Sequence, residues 1–341
     1  MTEYNIQLPA GYTARGATMD DIPACVEMFN TWAQKELGHL ELSEQEVKNE
    51  WISDDFIPEE DTRIVFDPAG KLVAYVEAWT RQPNTVHPWI WGRVHPDHYN
   101  LGLGTELTKW AEQMSLRVLD TLDPELRVTH EIGINHKVKP ALEMFENMGY
   151  SHLRSFYTMH IEMDAPPPVP SWAPGIALRP FVPERDIEAV YRADVEAFSD
   201  HYGFIVQPFD VGYPRFVHHF TETENYDPAL WFIAWDGDEI AGISLCRPHA
   251  YEDPEMGWVA TLGVRRNWRK RGIGLALLQH SFDEFYKRGV RKVGLGVDAS
   301  SLTGATRLYE KAGMYVAHQF DKYEKEIRAG KEISVQSIEE N

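Results

Sequence analysis

Five basic residues lie within seven positions of an otherwise acidic chain, directly before two glycines and an apolar run. The stretch reads "RRNWRKRGIGLALLQ" at residues 265–279, and its glycines are Gly272 and Gly274. A strand pattern at 258–264 precedes it, and a helical pattern follows from 274 to about 288. The loop therefore brings glycine to a helix N-terminus, where unpaired N–H groups and the helix dipole favour a bound phosphate.

Three types of phosphate-binding loop can be compared with this stretch. A Walker loop requires G-x-x-x-x-G-K-[ST], which is absent, and a dinucleotide fingerprint requires a third glycine where this chain has Leu277. The pattern that remains is [QR]-x-x-G-x-[GA], formed by Arg269, Gly272 and Gly274. It resembles the acetyl-coenzyme A pyrophosphate loop of the GNAT acetyltransferase superfamily.

Two other interpretations of the loop stay open. One is a basic, solvated turn between a strand and a helix. The other is nucleic-acid binding with Trp268 stacked on a base. A formal net charge of −20 and the immediate start of a helix disfavour nucleic acid.

A second motif extends the resemblance over nearly the whole C-terminal half. Residues 296–314, "GVDASSLTGATRLYEKAGM", resemble the last conserved block of the same superfamily: a strand, a helix with Leu-Tyr-Glu, and a glycine. The N-terminal half repeats the order of elements in weaker form, and Val94 precedes Gly102 by the same eight residues that separate Val264 from Gly272. The chain thus resembles a tandem GNAT protein with an arrangement like that of mycothiol synthase.

The domain organisation follows from this repeat and from a proline-rich segment. Five prolines lie in "DAPPPVPSWAPG", residues 164–175, which cannot continue a helix or a central strand. We expect an N-terminal GNAT domain at 1–164, a linker at 165–175 and a catalytic C-terminal domain at 176–341. The expected fold class is α/β, with a mixed sheet in each domain.

The resemblance implies where a thioester substrate would lie. The fourth and fifth strands of such domains splay apart, and the pantetheine pairs with the backbone of the fourth. Acetyl-coenzyme A is the expected co-substrate, with no metal. The residues implied in its binding are Leu262, Gly263, Val264, Arg269, Lys270, Arg271, Gly272, Ile273, Gly274, Leu275 and Ser301. Many relatives carry Asn at the position of Ser301, and serine would make a shorter contact.

The resemblance also implies the acid–base groups. Tyr309 matches the usual general acid, because a phenol with an ordinary pKa of about 10 is protonated at neutral pH. Its alternative role is that of a core aromatic residue. Glu255 is the candidate base, acting directly or through water, with Asp298 and the pair Asp200–His201 as alternatives. The His218–His219 pair lacks a metal-like spacing.

The two halves differ at the residues that matter for chemistry. Tyr99, Asn100 and Leu101 stand where the second half has Arg269, Lys270 and Arg271, and Phe145 stands at the position of Tyr309. Phenylalanine cannot protonate a leaving group, so chemistry is expected only in the second half. The first half is expected to brace the fold; weak coenzyme A binding and completion of the acceptor pocket are alternatives.

The composition bounds the class of protein. Only Cys25 and Cys246 are present, without CxxC spacing, which indicates a reducing compartment. We expect neither a signal peptide nor a membrane span, and a cytoplasmic location. The leading hypothesis is an N-acetyltransferase acting on a small-molecule amine. A non-catalytic acyl-coenzyme A binding protein and a protein or peptide N-acetyltransferase are alternatives. The acceptor and the oligomeric state cannot be read from the sequence.

Overall fold

The computed structural model describes residues 4–223, 225–251, 253–301 and 304–336, and it divides into two compact units. The first unit consists of the described residues up to Arg154 together with Phe320–Ile333. The second consists of Ser155–Gln319 with the described residues from Ser334 on. Each unit is therefore built from two separate stretches of chain.

The described residues up to Glu162 form six strands and five helices. The strands are β1 (Thr13–Arg15), β2 (Thr62–Phe66), β3 (Leu72–Trp79), β4 (Trp89–Val94), β5 (Val128–Asn135) and β6 (Ser151–Glu162). The helices are α1 (Ile22–Glu36), α2 (Glu44–Trp51), α3 (Pro58–Asp61), α4 (Leu103–Ser115) and α5 (Lys139–Asn147). Short 3-10 turns lie at Met19–Asp21, Pro96–His98 and Leu116–Asp120.

The remaining elements repeat this order. The strands are β7 (Ile176–Pro180), β8 (Trp231–Asp236), β9 (Glu239–Arg247), β10 (Met256–Val264), β11 (Lys292–Asp298) and β12 (Tyr315–Arg328). The helices are α6 (Pro183–Phe198), α7 (Phe209–Thr221), α8 (Ile273–Lys287) and α9 (Ala305–Lys311). Further 3-10 turns lie at Pro228–Leu230 and Arg266–Trp268.

Each unit contains one mixed sheet. In the first unit, β1 to β4 are antiparallel neighbours, and β4 pairs with β5 in parallel. In the second unit, β7 to β10 are antiparallel neighbours, and β10 pairs with β11 in parallel. The sequence prediction of two α/β units, each with a mixed sheet, is confirmed.

Helices cover both faces of each sheet because each helix carries one apolar face. In the second unit, α8 and α9 contribute Leu277, Phe282 and Tyr309 to one core cluster, while α6 and α7 contribute Val190 and Phe216 to another. The hairpin turns predicted at Asp67–Gly70 and Asp236–Gly237 are present. Both cysteines are buried and unpaired.

The strand that completes each sheet comes from the opposite half of the chain. Residues Phe320–Arg328 of β12 pair antiparallel with β5, whereas Phe156–Glu162 of β6 pair antiparallel with β11. The division expected from the proline-rich linker, 1–164 and 176–341, follows chain order and leaves each unit without this strand. The linker itself, 165–175, lies inside the second unit. A hydrophobicity pattern identifies a strand but not its partner, which explains the difference.

This exchange predicts that residues 1–164 do not fold stably alone. They lack Tyr323, a buried core residue of the first unit, and the strand that satisfies the outer edge of β5. We expect the fragment to show no cooperative melt by near-ultraviolet circular dichroism, and addition of residues 165–341 to restore one. A cooperative melt of the 1–164 fragment alone would show that chain-order domains fold independently.

Candidate active site

The second unit contains a cleft that follows from incomplete pairing of its parallel strands. Strands β10 and β11 pair only from Met256 to Val259, opposite Lys292–Leu295. Beyond this point β11 continues to pair with β6, and β10 continues to pair with β9. The two parallel strands therefore separate, as the resemblance implied.

An irregularity in β10 marks the point of separation. The register between β10 and β9 shifts between Val259 and Thr261, so Ala260 is the additional residue of a β-bulge. Residues 260–264 have no strand partner on the β11 side among the described residues. On the other wall of the cleft Gly296 is exposed, and a Cβ there would meet no atom within 4 Å. A free strand edge of this kind can pair with an extended ligand.

The glycine loop has the conformation that an anion site at a helix N-terminus requires. After the 3-10 turn Arg266–Trp268, Lys270 takes a positive φ of 62° and Gly272 one of 80°, and α8 begins at Ile273. Glycine adopts such angles readily, which suits Gly272, whereas for Lys270 the angle is an uncommon one. The first N–H groups of α8, which have no intrahelical partner, thus lie beside the open end of β10.

The three loop cations have different surroundings. The guanidinium of Arg269 forms an ion pair with Asp200 and donates to the carbonyl oxygens of Val264 (3.1 Å) and Ala197 (2.9 Å). Its side chain therefore fixes the loop to β10 and to the end of α6. Burial by itself would raise the pKa of Asp200, but the hydrogen bond from Arg269 and the positive charges of Arg269 and Arg266 together outweigh it and hold that pKa below its usual value.

Arg271 and Lys270 lie on the outside of the loop. Arg271 donates to Asp236 (3.2 Å) and to the carbonyl oxygen of Pro174 (3.0 Å), and its side chain is partly exposed. The ammonium group of Lys270 is exposed and has no partner among the described residues. Sequence inspection gave all three cations one role, whereas the structure leaves only Lys270 uncommitted.

Two further glycines allow close packing around the cleft. A Cβ on Gly263 would lie 2.9 Å from Cβ of Ala197, and one on Gly274 would lie 3.2 Å from Cδ1 of Leu308. Gly263 thus permits α6 to contact β10, and Gly274 permits α8 to contact α9. Their neighbours in the predicted set, Leu262, Val264, Ile273 and Leu275, lie on the same strand end and helix start.

Tyr309 lies on α9 and is buried, with 7% of its surface exposed. Its hydroxyl has no hydrogen-bond partner among the described residues, and burial raises the pKa of the phenol to about 12. The group is therefore protonated at any ordinary assay pH. The same helix is preceded by Ser301, whose hydroxyl accepts a long hydrogen bond from the backbone N–H of Ala305 (3.4 Å).

The carboxylates considered as a base lie in different environments. Glu255 is exposed in the turn before β10, five residues from the bulge, which corresponds to roughly 17 Å of strand. Asp298 ends β11 and accepts from the backbone N–H of Ser300 (2.9 Å). Asp200 is paired with Arg269, and burial lowers the pKa of the adjacent His201. Asp200 is thus a structural anion.

Asp194 is a titratable residue that inspection of the sequence missed. Its Oδ1 atom is buried without a hydrogen-bond partner among the described residues, and burial raises the pKa of the carboxyl to about 7. One turn away on either side, Tyr191 packs on Tyr213 of α7, and the ring of Phe198 lies 3.0 Å from a Cβ built on Gly263. Asp194 therefore lies on the side of α6 that also carries Tyr191 and Phe198.

The sequence signal for Asp194 was weak but present. It is a carboxylate on the side of an amphipathic helix that otherwise carries aromatic residues. Such a residue is normally excluded from a packed face unless it has a partner or a function.

The first unit has the same cleft with different side chains. Strands β4 and β5 pair only at Trp89–Ile90, and a cavity of about 440 Å³ lies beyond, lined by Gly102, Gly104 and Phe145 among others. Asn100 and Gly102 have φ values of 61° and 79°, so the loop conformation is retained.

Tyr99 replaces Arg269 in this loop without changing its role. Its hydroxyl donates to Glu36 at the end of α1 (3.0 Å), just as Arg269 binds Asp200 beyond the end of α6. The replacement therefore preserves the loop brace rather than removing a phosphate contact. Two differences from the second unit do affect chemistry: Asn100 stands at the position of Lys270, and the buried Phe145 stands at the position of Tyr309.

The described residues offer neither a metal-binding cluster nor a membrane-spanning helix. Among the side chains that the structure describes, no three His, Cys, Asp or Glu residues are grouped to hold a metal ion. None of the described helices has the length and apolar character that a membrane crossing requires.

Comparison with known proteins identifies the class of protein. Residues 188–314 match the acetyltransferase (GNAT) family. The crystal structure of a GCN5-related N-acetyltransferase from Sphaerobacter thermophilus covers 97% of this chain and 100% of its own, with 36% identity and a TM-score of 0.80. The fold and the cleft are thus those of an N-acetyltransferase, and the chain belongs to the GCN5-related N-acetyltransferase family.

More specific similarities point to tandem members. The mycothiol acetyltransferase of Thermobispora bispora is 29% identical over 224 residues, 64% of this chain and 70% of its own. That of Streptomyces scabiei is 29% identical over 231 residues, 67% of this chain and 68% of its own. A tandem GNAT protein from the clavulanic acid biosynthesis pathway shares the fold, with 13% identity, a TM-score of 0.70 and coverage of 94% and 100%.

Proposed function

We propose that the second unit transfers the acetyl group of acetyl-coenzyme A to the primary amine of a small molecule. The observation that carries the proposal is the separation of β10 from β11, next to a helix N-terminus with Gly272 in a left-handed conformation. Family membership supports use of an acyl-coenzyme A, and similarity to mycothiol acetyltransferases supports a small-molecule acceptor.

The proposed coenzyme site follows the cleft. The pantetheine would pair with the free edge of residues Leu262, Gly263 and Val264, and the pyrophosphate would accept from N–H groups at the start of α8. The loop and helix residues of the proposed site are Arg269, Lys270, Arg271, Gly272, Ile273, Gly274 and Leu275, with Ser301 at the opposite wall. Within this set, Arg269 fixes the loop and Lys270 supplies the uncommitted charge.

The proposed chemistry is direct transfer. The amine nitrogen attacks the thioester carbonyl carbon, a C–N bond forms, and the C–S bond breaks. A backbone N–H at the bulge would hold the developing oxyanion, because the extra residue removes that part of β10 from regular pairing. The departing thiolate takes a proton from Tyr309, whose raised pKa keeps it protonated until the thiolate forms.

The attacking amine must also lose a proton. We propose Asp194 as the acceptor of this proton, because a base with a pKa near the working pH combines correct ionisation with adequate basicity. Its buried, unpartnered oxygen lies on the side of α6 that continues to the open part of β10. Glu255, acting through water from the exposed turn before β10, is the competing assignment.

Turnover with and without the phenol tests the function. We expect free thiol release from acetyl-coenzyme A with a panel of small amines, and Tyr309→Phe should lower kcat by about 10²-fold or more with little change in coenzyme affinity. Tyr286→Phe is the matched control, since this phenol lies on α8 and has no hydrogen-bond partner among the described residues. Coenzyme binding without acetylation of any amine would leave only a binding protein.

The loop assignment can be tested with two glycines at opposite ends of α8. Both Gly272 and Gly289 have positive φ values, 80° and 87°, and a Cβ at either would meet nothing within 4 Å. Gly272→Val and Gly289→Val should therefore suffer similar backbone strain, about 1–2 kcal/mol. Only Gly272→Val should abolish acetyl-coenzyme A binding in calorimetry. Equal affinities of the two variants would reject the loop as the pyrophosphate site.

The base can be assigned from pH–rate profiles. Because burial raises the pKa of Asp194 to about 7, its carboxylate form is lost as the pH falls through 7, and kcat/KM should fall with it. Asp194→Asn should lower kcat/KM by about 10²-fold or more and remove this limb. Glu255→Gln should keep both rate and limb. The reverse pattern would assign the base to Glu255.

A further inference from the structure

The first unit contains a second cavity next to its β4–β5 cleft, and this cavity has no role in the proposed reaction of the second unit. It measures about 420 Å³ and is bounded by α1, α2, β3, β4 and the segment 82–87. This volume is within the range of small-molecule sites, roughly 300–1,000 Å³. Tyr75 lines both this cavity and the β4–β5 cleft, so the two spaces adjoin at that side chain.

Phenylalanine, tyrosine and tryptophan rings form a large part of the cavity wall. Six of them contribute, namely Phe29, Trp51, Tyr75, Trp79, Trp89 and Trp91. Four of the eleven tryptophans of the chain thus lie around one small space. The faces of such rings carry negative electrostatic potential and attract cations, most strongly for tryptophan.

Cations of the protein already use these rings at two places on the wall. The Arg93 guanidinium lies 4.2 Å from the centroid of Trp91, and the Lys322 ammonium lies 5.3 Å from that of Trp89. Trp51 and Trp79 have no such protein cation among the contacts of the described residues. Arg93 and Lys322 are not among the residues that line the cavity, so these contacts show that two rings of its wall attract cations from outside it.

Carboxylates lie among these rings without enough cations to balance them. Glu41 forms an ion pair with Arg93. Glu77 is 6% exposed, and among the described residues its donors are both neutral, Tyr75 Oη (2.5 Å) and Trp79 Nε1 (2.8 Å). Glu50 has no hydrogen-bonding or ion-pairing partner among the described residues. Two carboxylates thus face one cavity with no cation bound to either.

The ionisation of Glu50 reflects this imbalance. Although the Glu50 side chain is exposed, desolvation by the surrounding protein and the like charge of Glu77 raise the pKa of its carboxyl. Desolvation also raises the pKa of Glu77. A cation placed between the two groups would favour the charged form of both.

We propose that this cavity binds an organic ammonium ion, with its N–H groups donating to Glu50 and Glu77 and its carbon skeleton against the tryptophan wall. Carboxylates require N–H donors, which favours a protonated primary or secondary amine over a quaternary one. An anionic ligand would be repelled by the same carboxylates. The first unit therefore holds a ligand site of its own, and this assignment does not depend on the reaction of the second unit.

Calorimetry on the full chain without any coenzyme tests the site, and the full chain is needed because the first unit includes Phe320–Ile333. The probes are phenethylammonium and its neutral near-isostere 2-phenylethanol at pH 8, where an alkyl amine is still protonated. We expect saturable binding of the ammonium ion and at least tenfold weaker binding of the alcohol. Equal affinities would overturn the proposal, and that comparison requires no variant.

Variants then locate the binding event. Glu50→Gln and Glu77→Gln keep size and polarity but remove charge, and each should weaken ammonium binding by about tenfold or more. Glu27→Gln on the exposed side of α1 is the matched control and should bind as the wild type. Thermal melts check that each variant is folded.

The acceptor site of the second unit could also take up the probe, so the variants there complete the test. Asp194→Asn should retain the event that Glu50→Gln loses. If instead Asp194→Asn loses it while Glu50→Gln and Glu77→Gln retain it, the ammonium ion binds only in the second unit and the proposal is rejected. Such a result would not bear on the proposed acetyl transfer in the second unit. Conversely, failure of the turnover assay would not bear on the proposed ammonium site in the first unit.

Discussion

The chemistry of this protein depends on a parallel strand pair that stops pairing partway. Strands β10 and β11 hold register for four residues, Met256–Val259, and then separate at a bulge. As a result, the backbone groups of residues 260–264 have no strand partner on the β11 side among the described residues. This free edge of β10 can pair with an extended thioester, and the start of α8 beside it can bind the phosphates of the coenzyme that carries the thioester.

Surrounding contacts hold the cleft open. Arg269 connects the loop to Val264 and to the end of α6 through Asp200 and Ala197, and Gly263 lets α6 approach β10 closely enough for that connection. The first unit reaches the same geometry with Tyr99 and Glu36. Two different side-chain pairs thus hold the glycine loop in place. The units differ in the side chains around the cleft: the second has Lys270 and Tyr309, and the first has tryptophans and carboxylates nearby.

Burial raises the pKa of two groups in the second unit, with different consequences because their ordinary pKa values differ. It raises the pKa of the Tyr309 phenol to about 12, so the proton is held until a strong acceptor forms. It raises the pKa of Asp194 to about 7, so the carboxylate becomes a usable base near neutral pH. Neither group has a stabilising partner among the described residues, which is unfavourable for folding and typical of positions retained for chemistry.

The sequence alone determined the local elements and the family: the glycine loop at a helix start, the hairpin turns, the repeated order of elements and the position of Tyr309 all depend on neighbouring residues. Only the tertiary structure decided which strands pair. The C-terminal strand β12 completes the sheet of the first unit by pairing with β5, and β6 from the N-terminal half completes the sheet of the second unit by pairing with β11. The tertiary structure also decided that Arg269 faces Asp200, that one carboxyl oxygen of Asp194 is buried, and that Glu50 and Glu77 share a cavity. These facts rest on contacts between residues distant in sequence, and periodicity carries no information about such partners.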